Sequence, residues 1–376
     1  MIRIIFLIQS LNAGGTERQL CDLVKGMDKS KFDVYVVTFY DGGQFWHELE
    51  SYPGIHLISL GKRHRWDLLA LFWRLFALVK KIQPQLIHGY LDVPNLLCLL
   101  VGKFLGLKVI WGVRSSYMDL SKYYWTDKWL FRLSILLSRF PDLMITNSFA
   151  GKEYHQKVGY DVRRMIVINN GIDTAKFFPN KKIGKHLRAE WGIQNKHILI
   201  GFVGRLDPIK DHPTFIKAAA SVIKQTPNAY FACVGSGNDS YKNQLIELVK
   251  NLGLVEKFVW TGYLEKMVAV YNAFDILCLS SYGEGFPNAI GEAMACGIPV
   301  VTTDVGDSAE IVGDPSKVVK VGDYRQLAEV IIKMSKLPKE KLRSYGTRGL
   351  KRVTKKYALD SMVEKTEKAL SSLSIT

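Results

Sequence analysis

The chain has 376 residues, of which 48% are hydrophobic and 23% charged. It is longer than one core usually organises, and that balance excludes a long disordered region. No window offers the ~20 uninterrupted apolar residues of a membrane-spanning helix, because Asp67, Arg74, Asp92 and Lys103 break the richest stretches. The cysteines, Cys21, Cys98, Cys233, Cys278 and Cys296, are far apart without metal-ligand spacing and read as reduced core thiols.

Short β-branched runs alternate with helical patterns from the start. Ile2 to Gln9 lacks the length and cleavage site of a signal peptide and reads as a first buried strand, so a cytoplasmic protein is expected. A glycine pair follows in Gln9-Ser10-Leu11-Asn12-Ala13-Gly14-Gly15-Thr16-Glu17-Arg18. Glycines there let backbone approach a ligand closely, the amides of the next helix favour anionic oxygens, and Thr16 can cap that helix. Further strands are expected at Phe32 to Phe39, Leu86 to His88, Lys108 to Val113, Leu143 to Thr146 and Met165 to Ile168. The alternation predicts a parallel sheet.

The net charge of +16 is unevenly placed: residues 61 to 140 carry 13 Lys or Arg against 4 Asp or Glu, which is all the excess of residues 1 to 180. The same window is rich in aromatics, in the run Trp66 to Phe76 and in Tyr123, Tyr124, Trp125, Trp129 and Phe131. Bases beside aromatics suit an anionic membrane surface, and solvated basic helices are the plainer alternative. No zinc-finger spacing or RNA-binding signature supports a nucleic-acid partner.

Asn170-Gly171-Ile172-Asp173 is turn-prone, and the polar linker near Pro179 predicts a boundary there, dividing the chain into 1–178 and 179–357. Beyond it the pattern restarts, with strands at Ile198 to Val203, Ala229 to Val234, Lys257 to Thr261, Ile276 to Leu279 and Pro299 to Thr302. Both halves therefore read as doubly wound α/β domains, in which ligands bind outside the carboxyl ends of the strands.

Two segments of the second half carry chemistry. In Gly204-Arg205-Leu206-Asp207-Pro208-Ile209-Lys210-Asp211-His212, Arg205 offers a planar fork and Lys210 a point charge at a strand's end, suited to a diphosphate. The alternative is an exposed turn whose cations pair with Asp207 and Asp211. In Ser280-Ser281-Tyr282-Gly283-Glu284-Gly285-Phe286-Pro287-Asn288-Ala289-Ile290-Gly291-Glu292, Pro287 suits a helix's first turn and Gly297 its end. Amides near Phe286 to Ala289 can hold a phosphate, with Pro287 contributing none of its own. Glu284 precedes the helix and Glu292 lies inside it, about 7 Å further along the axis. Among small and apolar residues, the Glu292 carboxylate wants a hydroxyl partner.

These three segments, in this order and spacing, resemble glycosyltransferase family 4, the retaining enzymes of GT-B fold that build bacterial cell-surface polysaccharides and lipid-linked saccharides. The resemblance runs along nearly the whole chain, and the glutamates separated by seven residues are its specific mark. It implies two Rossmann-like domains facing across a central cleft, with a C-terminal helix, 358–376, returning to the first domain. By the same resemblance Arg205 and Lys210 hold the donor diphosphate, Glu284 the transferred sugar and Glu292 the ribose. Gly15, Gly204, Phe286, Pro287, Asn288 and Ala289 complete the donor site, with Gly235 and Tyr263 in the base-contacting loops. Gly14 and Thr16 belong to the acceptor side.

One departure stands out, since relatives carry a histidine where this loop reads Gly112-Val113-Arg114-Ser115-Ser116. His88 and Arg114, both expected at strand ends, are the acceptor-side alternatives. No Asp-x-Asp pair occurs, which fits a metal-independent enzyme whose only co-substrate is a nucleoside-diphosphate sugar. The implied reaction transfers a hexose or N-acetylhexosamine to a lipid-linked saccharide at the inner membrane face. An epimerase or phosphorylase of the same architecture, and a membrane-bound protein that binds nucleotide-sugars without turnover, are the rivals. A nicotinamide dehydrogenase is disfavoured because Gly235-Ser236-Gly237 lacks the third glycine.

Overall fold

The computed structural model describes residues 1–64, 67–114 and 125–375. Trp66, Tyr123 and Tyr124 of the aromatic window, and Ser115 and Ser116 of the loop after the Lys108–Val113 strand, lie outside the described residues. The chain divides into two compact units, Met1–Gly171 with Leu359–Thr376, and Ile172–Ala358.

The first unit holds β1 (Ile2–Ile8), β2 (Phe32–Thr38), β3 (Ile55–Ser59), β4 (Leu86–Tyr90), β5 (Lys108–Val113), β6 (Leu143–Thr146) and β7 (Met165–Val167). They form one parallel sheet in the order β3-β2-β1-β4-β5-β6-β7. Alternate side chains feed two cores. Ile4, Phe6 and Ile8 pack with Leu20 and Val24 of the helix Gly15–Gly26, and Ile5 and Leu7 pack with Leu71, Leu75 and Val101 on the other face. A sheet covered on both sides needs such continuous apolar runs, which is why its central strands were readable. β3 was not expected: it is a half-buried edge strand whose second residue is the exposed His56.

The second unit holds β8 (Ile198–Val203), β9 (Ala229–Val234), β10 (Phe258–Gly262), β11 (Ile276–Leu279), β12 (Val300–Thr303) and β13 (Val318–Val319), ordered β10-β9-β8-β11-β12-β13 and again parallel. The two-residue edge strand β13 was also missed. In each sheet the order reverses beside the first strand, between β1 and β4 and between β8 and β11. Ligands of such sheets bind at this switch point.

The first crossing between units falls at Gly171, seven residues before the expected boundary at 178. Ile172 and Phe177 belong to the second unit's core. The Ile172 amide donates to the Tyr357 carbonyl at 2.8 Å, fixing the crossing there. The C-terminal helix Leu359–Ile375 belongs to the first unit: Met362, Val363 and Leu370 join its core, and Glu367 accepts from the Asp28 amide at 2.6 Å. The five cysteines are buried.

Candidate active site

At the carboxyl ends of β8, β9 and β10 the loops are joined by backbone. The Gly204 amide donates to the Val234 carbonyl at 3.0 Å, Leu206 to Ser236 at 2.9 Å, and Gly235 to Gly262 at 2.9 Å. This closeness demands glycine. At Gly235, φ is +141° and a Cβ would stand 2.0 Å from the Gly204 oxygen. Gly235→Ala is therefore expected to cost at least about 2 kcal/mol of stability and to displace the Gly204 loop, read as a lower urea midpoint together with lost nucleotide affinity. An unchanged midpoint contradicts this account of the loop. Tyr263 follows Gly262 and is exposed.

The loop after β8 turns through a short 3-10 segment, Pro208–Lys210, capped by Asp207, which accepts from the Ile209 amide at 3.0 Å. Asp211 then takes a left-handed conformation (φ +50°) and caps the helix His212–Gln225, accepting from Thr214 at 3.2 Å. Two bonds stitch this loop to the one after β11: Ser280 Oγ donates to the Asp211 carbonyl at 2.7 Å, and the Tyr282 amide to the Ile209 carbonyl at 2.8 Å. The consequence is that Lys210 meets a carboxylate 74 residues away. Its Nζ donates to Glu284 Oε1 at 2.6 Å, and Ser281 Oγ donates to the same oxygen at 2.7 Å.

The two cations differ. The Lys210 and Glu284 side chains are 23% and 11% exposed, whereas Arg205 is 70% exposed and pairs with Asp207 at 3.1 Å. Exposed pairs of the latter kind contribute roughly 0–1 kcal/mol and break readily. The pairing of Lys210 with Asp211, weighed from the sequence, does not occur. Asp211 is spent on its cap, and burial pushes its carboxyl above the usual range.

The glutamate-bearing helix spans Asn288–Ala295. Pro287 is its N-cap rather than part of its first turn, since ψ of 100° places it in extended backbone. Gly297 ends it at φ +72°. The first-turn amides of Asn288 and Ala289 lie at the helix's positive end, beside the segment that carries Glu284. Gly306 presses on that segment: a Cβ there would lie 2.2 Å from the Glu284 carbonyl oxygen. Phe286 is buried, edge-on to Tyr357 with ring centroids 5.3 Å apart. Glu292, 7% exposed, has the hydroxyl partner its setting required: Tyr271 OH donates to Oε2 at 2.6 Å. The two glutamates thus hold different partners.

In the first unit, Gly14 is the N-cap of the helix Gly15–Gly26, in extended backbone with no side-chain cap. Thr16 is consequently inside the first turn and does not cap it. His88 is not at a strand end either, because β4 continues to Tyr90; the ring is wholly buried against Phe6 and Tyr90. It cannot touch an acceptor directly. Arg114, following β5, is half-buried; its Nη1 donates to Asn170 Oδ1 at 3.2 Å, and its guanidinium lies 4.8 Å from the Tyr90 ring centroid.

Residues 185–352 match the family model described as glycosyl transferases group 1, and residues 13–176 match the one described as Glycosyltransferase Family 4. The chain belongs to glycosyltransferase family 4.

Among curated relatives of this family-4 chain, the D-inositol 3-phosphate glycosyltransferase of Rhodococcus erythropolis is 32% identical over 173 residues, 44% of this chain and 39% of that protein. The chain therefore aligns with about two-fifths of that relative's length. A Campylobacter jejuni alpha-1,4-N-acetyl-D-galactosaminyltransferase, named for a diNAcBac-PP-undecaprenol-linked acceptor, is 27% identical over 303 residues, 78% of this chain and 77% of that protein. Anabaena HepE, crystallised with UDP and glucose, superimposes with a TM-score of 0.86 at 22% identity, covering 99% of this chain and 100% of that one. That likeness shows the GT-B fold.

Sequence reasoning missed Tyr271 and Ser281, the hydroxyl partners of Glu292 and Glu284. Tyr271 sits in the short apolar helix Met267–Ala273 and carries no motif. Only the buried carboxylate's need for a hydroxyl pointed towards such a residue. Ser281 stands three residues before Glu284, close enough for a local hydrogen bond.

Proposed function

We propose that the protein is a retaining glycosyltransferase that moves a hexose or N-acetylhexosamine from a nucleoside-diphosphate sugar to a hydroxyl of a lipid-linked saccharide at the cytoplasmic membrane face. The observation that carries this reading is the Lys210–Glu284 pair at the switch point of the second sheet, with Glu292 and the Asn288–Ala295 helix start in the same segment. In this reading the second unit takes the donor and the first the acceptor.

Lys210, Arg205 and the helix-start amides neutralise the diphosphate as it leaves, so that charge comes from protein groups without a required metal. Glu284 orients the sugar's hydroxyls while holding Lys210 in place, and Glu292 binds the ribose. The sugar passes through an oxocarbenium-like state and the acceptor attacks from the face the leaving group vacates, which retains configuration. A trapped covalent sugar on Glu284 contradicts this assignment. Thermal melting with UDP, GDP, ADP and CDP tests the donor site: one nucleotide, at a hundredfold excess over its Kd, is expected to add about 2.7 kcal/mol of stability. No stabilisation by any of the four contradicts the reading.

The membrane part of the proposal rests on three helices of the first unit, Leu68–Ile82, Asp92–Phe104 and Trp125–Leu137. Leu69, Trp73, Phe104, Trp125 and Trp129 are each more than 60% exposed. Trp73, Phe76 and Phe104 form a chain of edge-on rings with centroids 5.6 Å apart, joining the first two helices. Lys80 lies over Phe76 and Arg132 over Trp129. Aromatics this exposed beside cations suit an anionic lipid surface. Among the described residues no helix is long and apolar enough to cross a membrane. Trp73→Glu with Trp129→Glu is expected to weaken binding to phosphatidylglycerol vesicles at least about tenfold, with activity on a short soluble acceptor retained. Unchanged sedimentation with vesicles contradicts the proposed surface.

A further inference from the structure

On β4, His88 and Tyr90 are two residues apart and share one face of the sheet; on β5, Gly112 pairs with Tyr90 and puts Arg114 on that same face two residues on. Gly112 leaves room between them: a Cβ there would lie 3.3 Å from His88 Nε2, so this nitrogen faces the strand that carries Arg114. The helices Gly15–Gly26 and Leu359–Ile375 cover this face, and a small cavity remains, lined among others by His88, Tyr90, Arg114, Gln19 and Thr366. It admits about 10 Å³ of water-sized volume, close to what a single bound water requires.

The polar atoms around it are short of protein partners. Among the described residues none hydrogen-bonds either ring nitrogen of His88 or Arg114 Nε, and these atoms are buried, while the Tyr90 hydroxyl beside them has Arg114 as its neighbour. Gln19 and Thr366 are satisfied elsewhere, by the Gly171 backbone and the Met362 carbonyl. Buried polar groups are rarely left unpaired, so the His88 ring nitrogens and Arg114 Nε, with the Tyr90 hydroxyl, around one water-sized space constitute a built site.

We infer that this cavity binds one structural water bridging His88, Tyr90 and Arg114 Nε, and that His88 acts through it as a positioning residue for the Arg114 guanidinium. Burial, with the Arg114 charge adding to it, pushes the His88 imidazole well below its ordinary range, so the ring is neutral at pH 7 and offers one donor and one acceptor nitrogen. Such a ring can accept from the water while the water accepts from Arg114 Nε–H. With Nη1 tied to Asn170, the guanidinium is then held at two points. The functional consequence rests on the reading above in which Arg114 meets the acceptor: a fixed guanidinium binds an anionic acceptor group without first losing its own rotamer freedom.

The test is the exchange rate of the Arg114 Nε proton, resolved by ¹⁵N NMR and assigned by its loss in Arg114→Lys. The bridge predicts exchange at least about tenfold slower than for exposed arginines. His88→Leu should abolish that protection, Tyr90→Phe should reduce it, and His88→Gln, which keeps a polar group near the Nε2 position, should retain most of it. In transfer assays His88→Leu should raise the acceptor KM about tenfold with kcat within about twofold, and His88→Gln should restore it. Tyr90→Phe removes a single oxygen and keeps the ring, so it decides the matter if His88→Leu does not fold. An Arg114 Nε proton that exchanges as fast as exposed ones, or that keeps its protection in the folded variants, overturns the bridge. Absence of transfer to any acceptor overturns the proposed function instead, and the exchange rates still decide the bridge.

Discussion

Lys210→Ala is expected to lower kcat by about a hundred- to a thousandfold, the loss typical of removing one preorganised charge aimed at a developing anion. Charge builds on the diphosphate only as the glycosidic bond breaks, so the loss should fall on kcat more than on donor KM. The substitution also takes the ammonium away from Glu284, whose side chain is 11% exposed and accepts from Ser281 Oγ. A drop in stability should accompany the loss of rate. Lys210→Arg separates the two effects, since it keeps the charge for Glu284 but cannot place a compact ammonium at the same point; near-normal stability with much reduced kcat is expected. Arg205→Ala should cost far less stability, because the Arg205–Asp207 pair is exposed. Steady-state and single-turnover rates alongside urea unfolding check all of this, and a Lys210→Ala enzyme with normal kcat contradicts the assignment.

The second large effect concerns Glu292. Glu292→Gln should raise the donor KM about ten- to a hundredfold while changing kcat less, because hydrogen bonds to a charged group contribute about 1.5–3 kcal/mol. Tyr271→Phe should cost a comparable amount of stability, since it leaves Oε2 of a 7%-exposed carboxylate without the hydroxyl that donates to it. The two losses should not add. In the Glu292→Gln background the tyrosine substitution should cost less, and the double-mutant cycle measures the difference. Strict additivity would mean that Tyr271 does not support Glu292.

The central strands of both sheets were legible because a parallel sheet buried on both faces writes near-continuous apolar runs. Edge strands do not, so Ile55–Ser59 and Val318–Val319 passed unnoticed. The domain boundary was misplaced because Pro179 is a louder local signal than the backbone bond from Ile172 to Tyr357, which joins residues far apart in sequence. Likewise Arg205 and Lys210 look equivalent in the chain. Only the folding of Glu284 onto Lys210, and of Asp207 onto Arg205, makes one cation anchored and the other free to move. The glutamate segment was legible as chemistry because a carboxylate amid small apolar residues is costly unless it has a partner. The identity of that partner, Tyr271, was not. His88 was misread by two residues of strand length, enough to move it from a ligand-facing end to a buried row.

The most direct test incubates the purified protein, and its Lys210→Ala variant in parallel, with a panel of uridine and guanosine diphosphate sugars and membrane lipid extract. Nucleotide release and sugar incorporated into lipid are measured together. The account predicts that one donor gives release matched by incorporation, both reduced at least about a hundredfold in the variant. Tight binding of a donor with neither release nor incorporation, or turnover indifferent to Lys210→Ala, would contradict it.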